Sequence, residues 1–193
     1  MNRALVPAVF ALAVSVCLLA GCVPVLIAGA AGGAAMVATD RRSAGAQVDD
    51  ESIELKIATQ AGSEFGERIH LNATSYNGIV LLTGEVPDQA ALTSIGNLAK
   101  NIEKVRGVHN EMVIGPNSDF SARSNDTYIT SKVKSRMLEA NKFPPNVVKV
   151  VTERSVVYLM GIVSKEEGDA AAEIAATTAG VARVVKFFQY PGS

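Results

Sequence analysis

The sequence predicts two tandem α+β (α/β) domains, each running α-β-β-α-β with two helices laid on a three-stranded mixed sheet. The first observation behind this is an internal repeat. Ile53-Glu54-Leu55-Lys56-Ile57 returns as Ile129-Thr130-Ser131-Lys132-Val133 at an offset of 76, and Val80-Leu81-Leu82-Thr83-Gly84-Glu85-Val86 returns as Val157-Tyr158-Leu159-Met160-Gly161-Ile162-Val163 at 77. Val105 and Val108 return as Val181 and Val184, again at 76. Three blocks in one order at one period mark a duplicated supersecondary unit. The second observation is periodicity. Ile53, Ile57 and Ala61, and in the second copy Ile129, Val133 and Met137, stand four apart, the stripe of an amphipathic helix. The third is Asn77-Gly78 between two β-type runs, because both residues tolerate the positive φ of a tight hairpin.

In chain order, Arg3, an uncharged apolar run over 4–19 and small residues before Cys22 make a three-part secretory leader, 1–21. It is too short to argue as a membrane span. Leu19-Ala20-Gly21-Cys22 is similar to the bacterial lipobox, whose cysteine is acylated after cleavage, so Cys22 is the expected lipid anchor. Two acyl chains hold stably where one does not, each buried methylene contributing roughly 0.8 kcal/mol. Val23 follows the cysteine where aspartate would imply inner-membrane retention. By resemblance to Gram-negative lipoproteins the expected location is therefore the inner leaflet of the outer membrane, facing the periplasm. Cys17 would leave with the leader and Cys22 would be acylated, so no structural disulfide is expected. Residues 22–46 read as a lipidated terminus and flexible tether. Positions 23–38 carry no charge, Gly29, Gly32 and Gly33 disfavour a helix, and a coil of this length reaches ~28 Å. The mean hydropathy of +0.22 owes much to the leader and this stretch.

The first domain is expected at 47–115, a linker at 116–123 and the second domain at 124–190. Asp49-Asp50 and Asn125-Asp126 suit helix N-termini, where their oxygens would accept from free N–H groups. Strands are expected at 69–75 and 79–85, then a helix at 88–103 and a strand at 108–114. The second copy repeats these as strands at 147–152 and 156–161, a helix at 165–179 and a strand at 184–188. Its hairpin passes through Arg154-Ser155, without glycine. Ser164 with Glu167 forms a capping box.

This order, the strands ending in Leu-Thr-Gly-Glu-Val or Leu-Met-Gly-Ile-Val, and the closing Gly107-Val108-His109-Asn110 and Gly180-Val181-Ala182-Arg183-Val184 resemble the BON domain. Two copies behind a lipobox are similar to the proteobacterial dual-BON outer-membrane lipoproteins. Ala38-Thr39-Asp40-Arg41-Arg42-Ser43, Gln47-Val48-Asp49-Asp50 and Ser124-Asn125-Asp126-Thr127 resemble that family closely. The resemblance implies binding of an anionic phospholipid membrane through the second domain, enrichment at the division site, and support of outer-membrane integrity near the β-barrel assembly machinery.

Charge points to the same domain. Residues 47–115 hold ten acidic and five basic side chains, net −5, whereas 119–193 hold eight acidic and ten basic, net +2. An anionic leaflet attracts each near-surface Lys or Arg with about 1 kcal/mol. Tyr128, Lys132 and Arg136 stand four apart beside the Ile129 face, with Lys134 further round; the first copy has Ser52, Lys56 and Gln60 there. The expected phospholipid-binding set is Ser124, Asn125, Asp126, Thr127, Tyr128, Ile129, Thr130, Lys132, Lys134 and Arg136. The alternative is a periplasmic protein-protein adaptor for envelope or β-barrel assembly, using open sheet edges or the acidic first domain.

Catalysis has little support. His70 and His109 fall in separate predicted strand regions with no cysteine partner, so neither a metal site nor a Cys-His pair is expected. No P-loop or G-x-S-x-G motif is present. No enzyme activity or cofactor is expected, and net charge and compartment argue against nucleic acid. The sequence does not specify self-association.

Overall fold

The computed structural model describes residues 40–191; the predicted leader, Cys22 and the tether up to residue 39 lie outside the described residues. The first copy comprises helix α1 (Ala44–Phe65), one 3-10 turn (Gly66–Arg68), strands β1 (His70–Tyr76) and β2 (Ile79–Val86), helix α2 (Gln89–Lys100), and strands β3 (Gly107–Asn110) and β4 (Val113–Ile114). The second comprises α3 (Phe120–Ala140), a 3-10 turn (Pro145–Val147), β5 (Val148–Glu153), β6 (Val156–Ile162), α4 (Lys165–Ala176) and β7 (Arg183–Gln189). In each, the middle strand pairs antiparallel with its hairpin partner and parallel with the returning strand, giving the predicted mixed sheet. The returning strand of the first copy is split. Asn110 turns its side chain to Leu92 O and the Met112 amide, Met112 enters the core, and β4 resumes pairing with β2.

The aspartates of Asp49-Asp50 and Asn125-Asp126 assigned to helix starts do not cap these helices, because both helices begin earlier. Ser43 accepts from Ala46 N ahead of α1 and Asp119 from Ala122 N ahead of α3. Asp50 and Asp126 are therefore internal helical residues, each buried. The Asp50 carboxylate accepts from Asn77 N at 2.7 Å, Gly78 N at 2.8 Å and Ser75 Oγ at 2.6 Å. Asp126 accepts from Arg154 N and Ser155 N, both at 2.8 Å. These amides belong to the two hairpin turns, whose central residues all have positive φ: 51° and 74° in the first, 52° and 61° in the second. Left-handed backbone at a non-glycine residue costs of order 1–3 kcal/mol, and a hydrogen bond to a charged group contributes about 1.5–3 kcal/mol. The Asp126 carboxylate thus offsets the strain of a turn that lacks glycine. The repeated glycine of the central strands is also required: a Cβ on Gly84 would meet the His70 carbonyl, and one on Gly161 the Val147 carbonyl.

Each helix pair covers one sheet face. Ile53, Ile57 and Ala61 meet Val80, Leu82 and Ile95 in the first core; Ile129, Val133 and Met137 meet Val157, Leu159 and Ala171 in the second. The other faces cover one another. Tyr76 and Leu81 pack on Val151, Tyr158 and Met160, so the two sheets stand back to back with a helix layer outside each. His109 stacks on Phe187 with ring centres 3.9 Å apart, and Asn77 Nδ2 donates to Gln189 Oε1 at 2.9 Å.

The segment before α1 straps the pair. Arg41 makes a bidentate pair with Glu167 of the α4 capping box, at 2.6 and 2.7 Å, and donates to Ile162 O. Arg42 joins Asp40 and Asp50 and lies 4.2 Å from the Tyr76 ring centre. Residues 40–46, which the sequence assigns to the tether, are thus held on the folded domains, because these arginines have buried or half-buried partners on both. Among the described residues no helix is long and apolar enough to cross a membrane.

Asp126→Ala leaves two turn amides without an acceptor and is expected to cost about 3 kcal/mol in urea unfolding. Ser155→Gly, which relieves a φ of 61°, is expected to stabilise by up to about 1 kcal/mol.

Candidate functional site

Helix α3 carries the predicted contact residues, and its pitch divides them. Ile129, Val133 and Met137 point into the second core. Ile129 and Asp126 were expected to touch lipid; the structure corrects both, since one is core and the other holds the β5–β6 turn. Thr130 is half-buried and donates to Thr152 Oγ1 at 2.7 Å. Ser124, Asn125, Thr127 and Tyr128 are exposed, Tyr128 to 63%. Lys132 Nζ sits 5.1 Å from the Tyr128 ring centre and donates to Ala179 O at 2.7 Å. Arg136 donates to Ile174 O, Thr178 Oγ1 and Thr177 Oγ1. Both cations therefore stand at the carboxyl end of α4, where unpaired carbonyls and the helix dipole favour positive charge. Lys134, two residues from Lys132, lies on a different side of α3 and is exposed.

Two apolar side chains on the outer surface of α3 escape sequence reasoning. Phe120 is 80% exposed and Leu138 63%. Eighteen residues make five helical turns, so they share one side, about 27 Å apart along the axis. Phe120 was missed because the sequence assigns it to the linker. Helix α1 also exposes Val48 and Leu55, but it holds five acidic residues and one basic, against two acidic and four basic on α3.

A second constellation lies where the domains meet. His70 on β1 pairs in register with Glu85 on β2, and Nδ1 is 2.9 Å from Glu85 Oε2. Glu153, at the end of β5 in the other domain, brings Oε1 to 3.7 Å from the same nitrogen. The linker closes over them, with Ser118 N donating to Glu85 Oε2 at 3.2 Å and its hydroxyl 3.3 Å from His70 Nδ1. Arg154 reaches Glu85 Oε1 at 3.3 Å. Burial alone would raise the Glu85 pKa, but the hydrogen bonds from His70, the Ser118 amide and Arg154 outweigh it and hold the carboxyl below its ordinary value. For Glu153 burial dominates. Opposed by His70 but reinforced by Glu85 and Asp126, it raises that carboxyl. Sequence reasoning left His70 without ligand partners because nothing in it says that residue 153 would cross to residue 70. His109, stacked on Phe187, has its pKa lowered chiefly by burial.

Duplication, a mixed sheet under two helices and a first-helix carboxylate holding the hairpin define a protein of paired small α+β domains. The BON domain family matches residues 49–116 and 125–192, and the chain belongs to that family. It is similar to "Outer membrane lipoprotein DolP" of Haemophilus influenzae, 40% identical over 174 residues, covering 89% of this chain and 90% of that protein. It is also similar to a "21 kDa hemolysin" of Actinobacillus pleuropneumoniae, 39% identical over 78% of this chain and 79% of that protein. A third relative, "Osmotically-inducible protein Y" of Escherichia coli, is 29% identical over 71% of this chain and 70% of that protein.

The two buried carboxyls have opposite linkage. Glu85, whose folded pKa is depressed, contributes stability above its unfolded value of about 4.3, and this is lost as pH falls through the folded value. Glu153, whose pKa is raised, destabilises at neutral pH, and that penalty is relieved as pH falls through the raised value. With chelator present, urea unfolding at pH 7 is expected to show Glu85→Gln less stable and Glu153→Gln more stable than wild type, both differences shrinking towards pH 4.

Proposed function

We propose that the chain is an outer-membrane lipoprotein, tethered through Cys22 and facing the periplasm, that binds anionic phospholipid through its second domain without catalysing a reaction. In this reading it supports outer-membrane integrity at the division site. The observation that carries the proposal is the outer surface of α3, where Phe120, Tyr128 and Leu138 are exposed on a helix with a basic excess. An amphipathic ring beside cations suits the headgroup boundary. The 40% identity to a protein named an outer membrane lipoprotein supports the location. Attachment at two points lets a weak helix contact suffice, because the anchor raises the local concentration of α3 at the leaflet.

The contact set narrows to Phe120, Ser124, Asn125, Thr127, Tyr128, Lys132, Lys134 and Leu138. Arg136 adds positive charge, but three hydrogen bonds hold its head to the end of α4. A second reading, docking to envelope proteins such as the β-barrel assembly machinery, rests on Val48 and Leu55, exposed on the acidic α1.

Vesicle co-sedimentation tests the lipid reading. The 39–193 fragment is the right probe, because it keeps Arg41 and Arg42 on their partners. Binding is expected only with anionic vesicles and is expected to weaken with salt. Removing two lysines near the surface should cost roughly 2 kcal/mol, so Tyr128→Ala with Lys132→Ala and Lys134→Ala is expected to reduce affinity about 30-fold or more. Equal binding to neutral vesicles, or full binding by the triple variant, would sink this reading. Capture of a barrel-assembly component by a photo-crosslinker at Leu55, with no anionic-vesicle binding, would replace it with the adaptor.

A further inference from the structure

Glu153 is a buried carboxylate, 7% exposed, whose hydrogen-bond donor is the Thr83 hydroxyl at 3.4 Å. That hydroxyl stands equally far from Asn72 O, so its one proton serves one acceptor or the other. Beside Glu153 are the fully buried Glu85 and the His70 ring. His70, the Ser118 amide and Arg154 all meet Glu85, whereas Glu153 faces that carboxylate with only the shared Thr83 proton as its donor among the described residues, so its negative charge is the poorly compensated one.

We infer that His70 Nδ1, Glu85 and Glu153 form a divalent transition-metal site, of the kind that takes Zn²⁺, bridging the two domains. The ligand atoms fit. Nδ1 is 2.9 Å from Glu85 Oε2 and 3.7 Å from Glu153 Oε1, and all three lie within 4.8 Å of one another. A tetrahedral zinc with bonds near 2.0–2.1 Å needs ligands about 3.3 Å apart. One imidazole nitrogen with two carboxylate oxygens suits zinc and its neighbours better than calcium or magnesium, which favour all-oxygen shells. The outer shell is in place: the Ser118 amide and Arg154 orient the Glu85 carboxylate. A cleft of ≈ 320 Å³ opens beside His70 and Glu153, leaving the fourth position to water. On binding, the ion takes the place of the hydrogen between Nδ1 and Glu85, and protons compete with it for all three ligands. Affinity therefore falls as the medium is acidified. Two ligands come from the first sheet and one from the second, so the ion would clamp the sheets together. This inference is independent of the lipid reading.

The test uses the full chain in detergent, stripped with chelator and titrated with Zn²⁺ by calorimetry, with thermal unfolding in parallel. Expected are one equivalent bound at micromolar or tighter affinity, a rise in unfolding temperature, and affinity at least tenfold weaker in His70→Asn and in Glu153→Gln. Glu153→Gln discriminates well, since it is expected to be the more stable protein in chelator and the less responsive one in zinc. For the wild-type chain alone, Co²⁺ should give paramagnetic shifts centred on the His70 ring and the residue 85 and 153 amides. Binding weaker than about 1 mM, undiminished binding by both variants, or cobalt shifts centred elsewhere would overturn the assignment.

Discussion

Each sheet has helices on only one side, and its other face is too apolar to meet water. That constraint decides the architecture. Tyr76 and Leu81 from one sheet, and Val151, Tyr158 and Met160 from the other, are removed from solvent only by meeting each other. At roughly 1.5–3 kcal/mol for each large apolar side chain buried, these five residues add substantially to what the two small cores supply, so each domain stabilises the other. The pairing also explains the polar pieces near the seam. Thr83 and Glu85 lie on the same face of β2 as Leu81 and therefore look at the partner domain. Glu85 is met from its own side by His70 and the Ser118 amide and from across the seam by Arg154, while Glu153 accepts from Thr83 across the same seam.

The duplicated aspartate shows how one constraint survives divergence. Asp50 and Asp126 occupy the same turn of the first helix in each copy and hold the same turn of the hairpin. In the first copy Asn77-Gly78 suits left-handed backbone, and the carboxylate adds rigidity. In the second, Arg154-Ser155 does not, and the carboxylate offsets the strain of the left-handed turn. A helix is thereby fixed in register on its own sheet by charge-assisted bonds rather than by apolar contacts alone. Arg42 ties the chain entering α1 to the first of these aspartates.

Much of the fold was legible. The repeat, the helical stripes, the Ser164 capping box and Asn77-Gly78 each rest on local physics, and each recurs in the structure. The helix starts were misread because an acidic pair looks like a cap whether it faces its own amides or those of a hairpin 27 residues away. The sheet-on-sheet contact had a signal that went unused. Val80 to Val86 and Val157 to Met160 are buried without a break, and a strand that does not alternate is covered on both faces. The proposed α3 contact set was half legible. Its spacing gave Tyr128, Lys132 and Arg136 one side, but the same spacing could not reveal that Asp126 and Ile129 turn inward or that Phe120 is helical. His70, Glu85 and Glu153 were out of reach, since their meeting depends on how two domains dock.

On the proposed lipid reading, Lys132 beside Tyr128 and Arg136 further along α3 would link stability to recognition. Lys132 and Arg136 close the carboxyl end of α4, so their positions are fixed before any headgroup arrives. A free surface lysine gives up about 0.5–1.5 kcal/mol of side-chain freedom when it is immobilised at an interface. Lys132 has given up that freedom in folding, and its ammonium still has donors to spare beyond Ala179 O. Arg136 has fewer, so its contribution to an anionic surface is field rather than contact. Lys134 is exposed and makes no hydrogen bond or ion pair among the described residues. A leaflet meeting α3 would thus find one fixed cation beside an aromatic ring and one mobile cation on the far side. This arrangement favours headgroup charge over headgroup shape, because a single placed ammonium reads position only loosely whereas the summed field reads charge well.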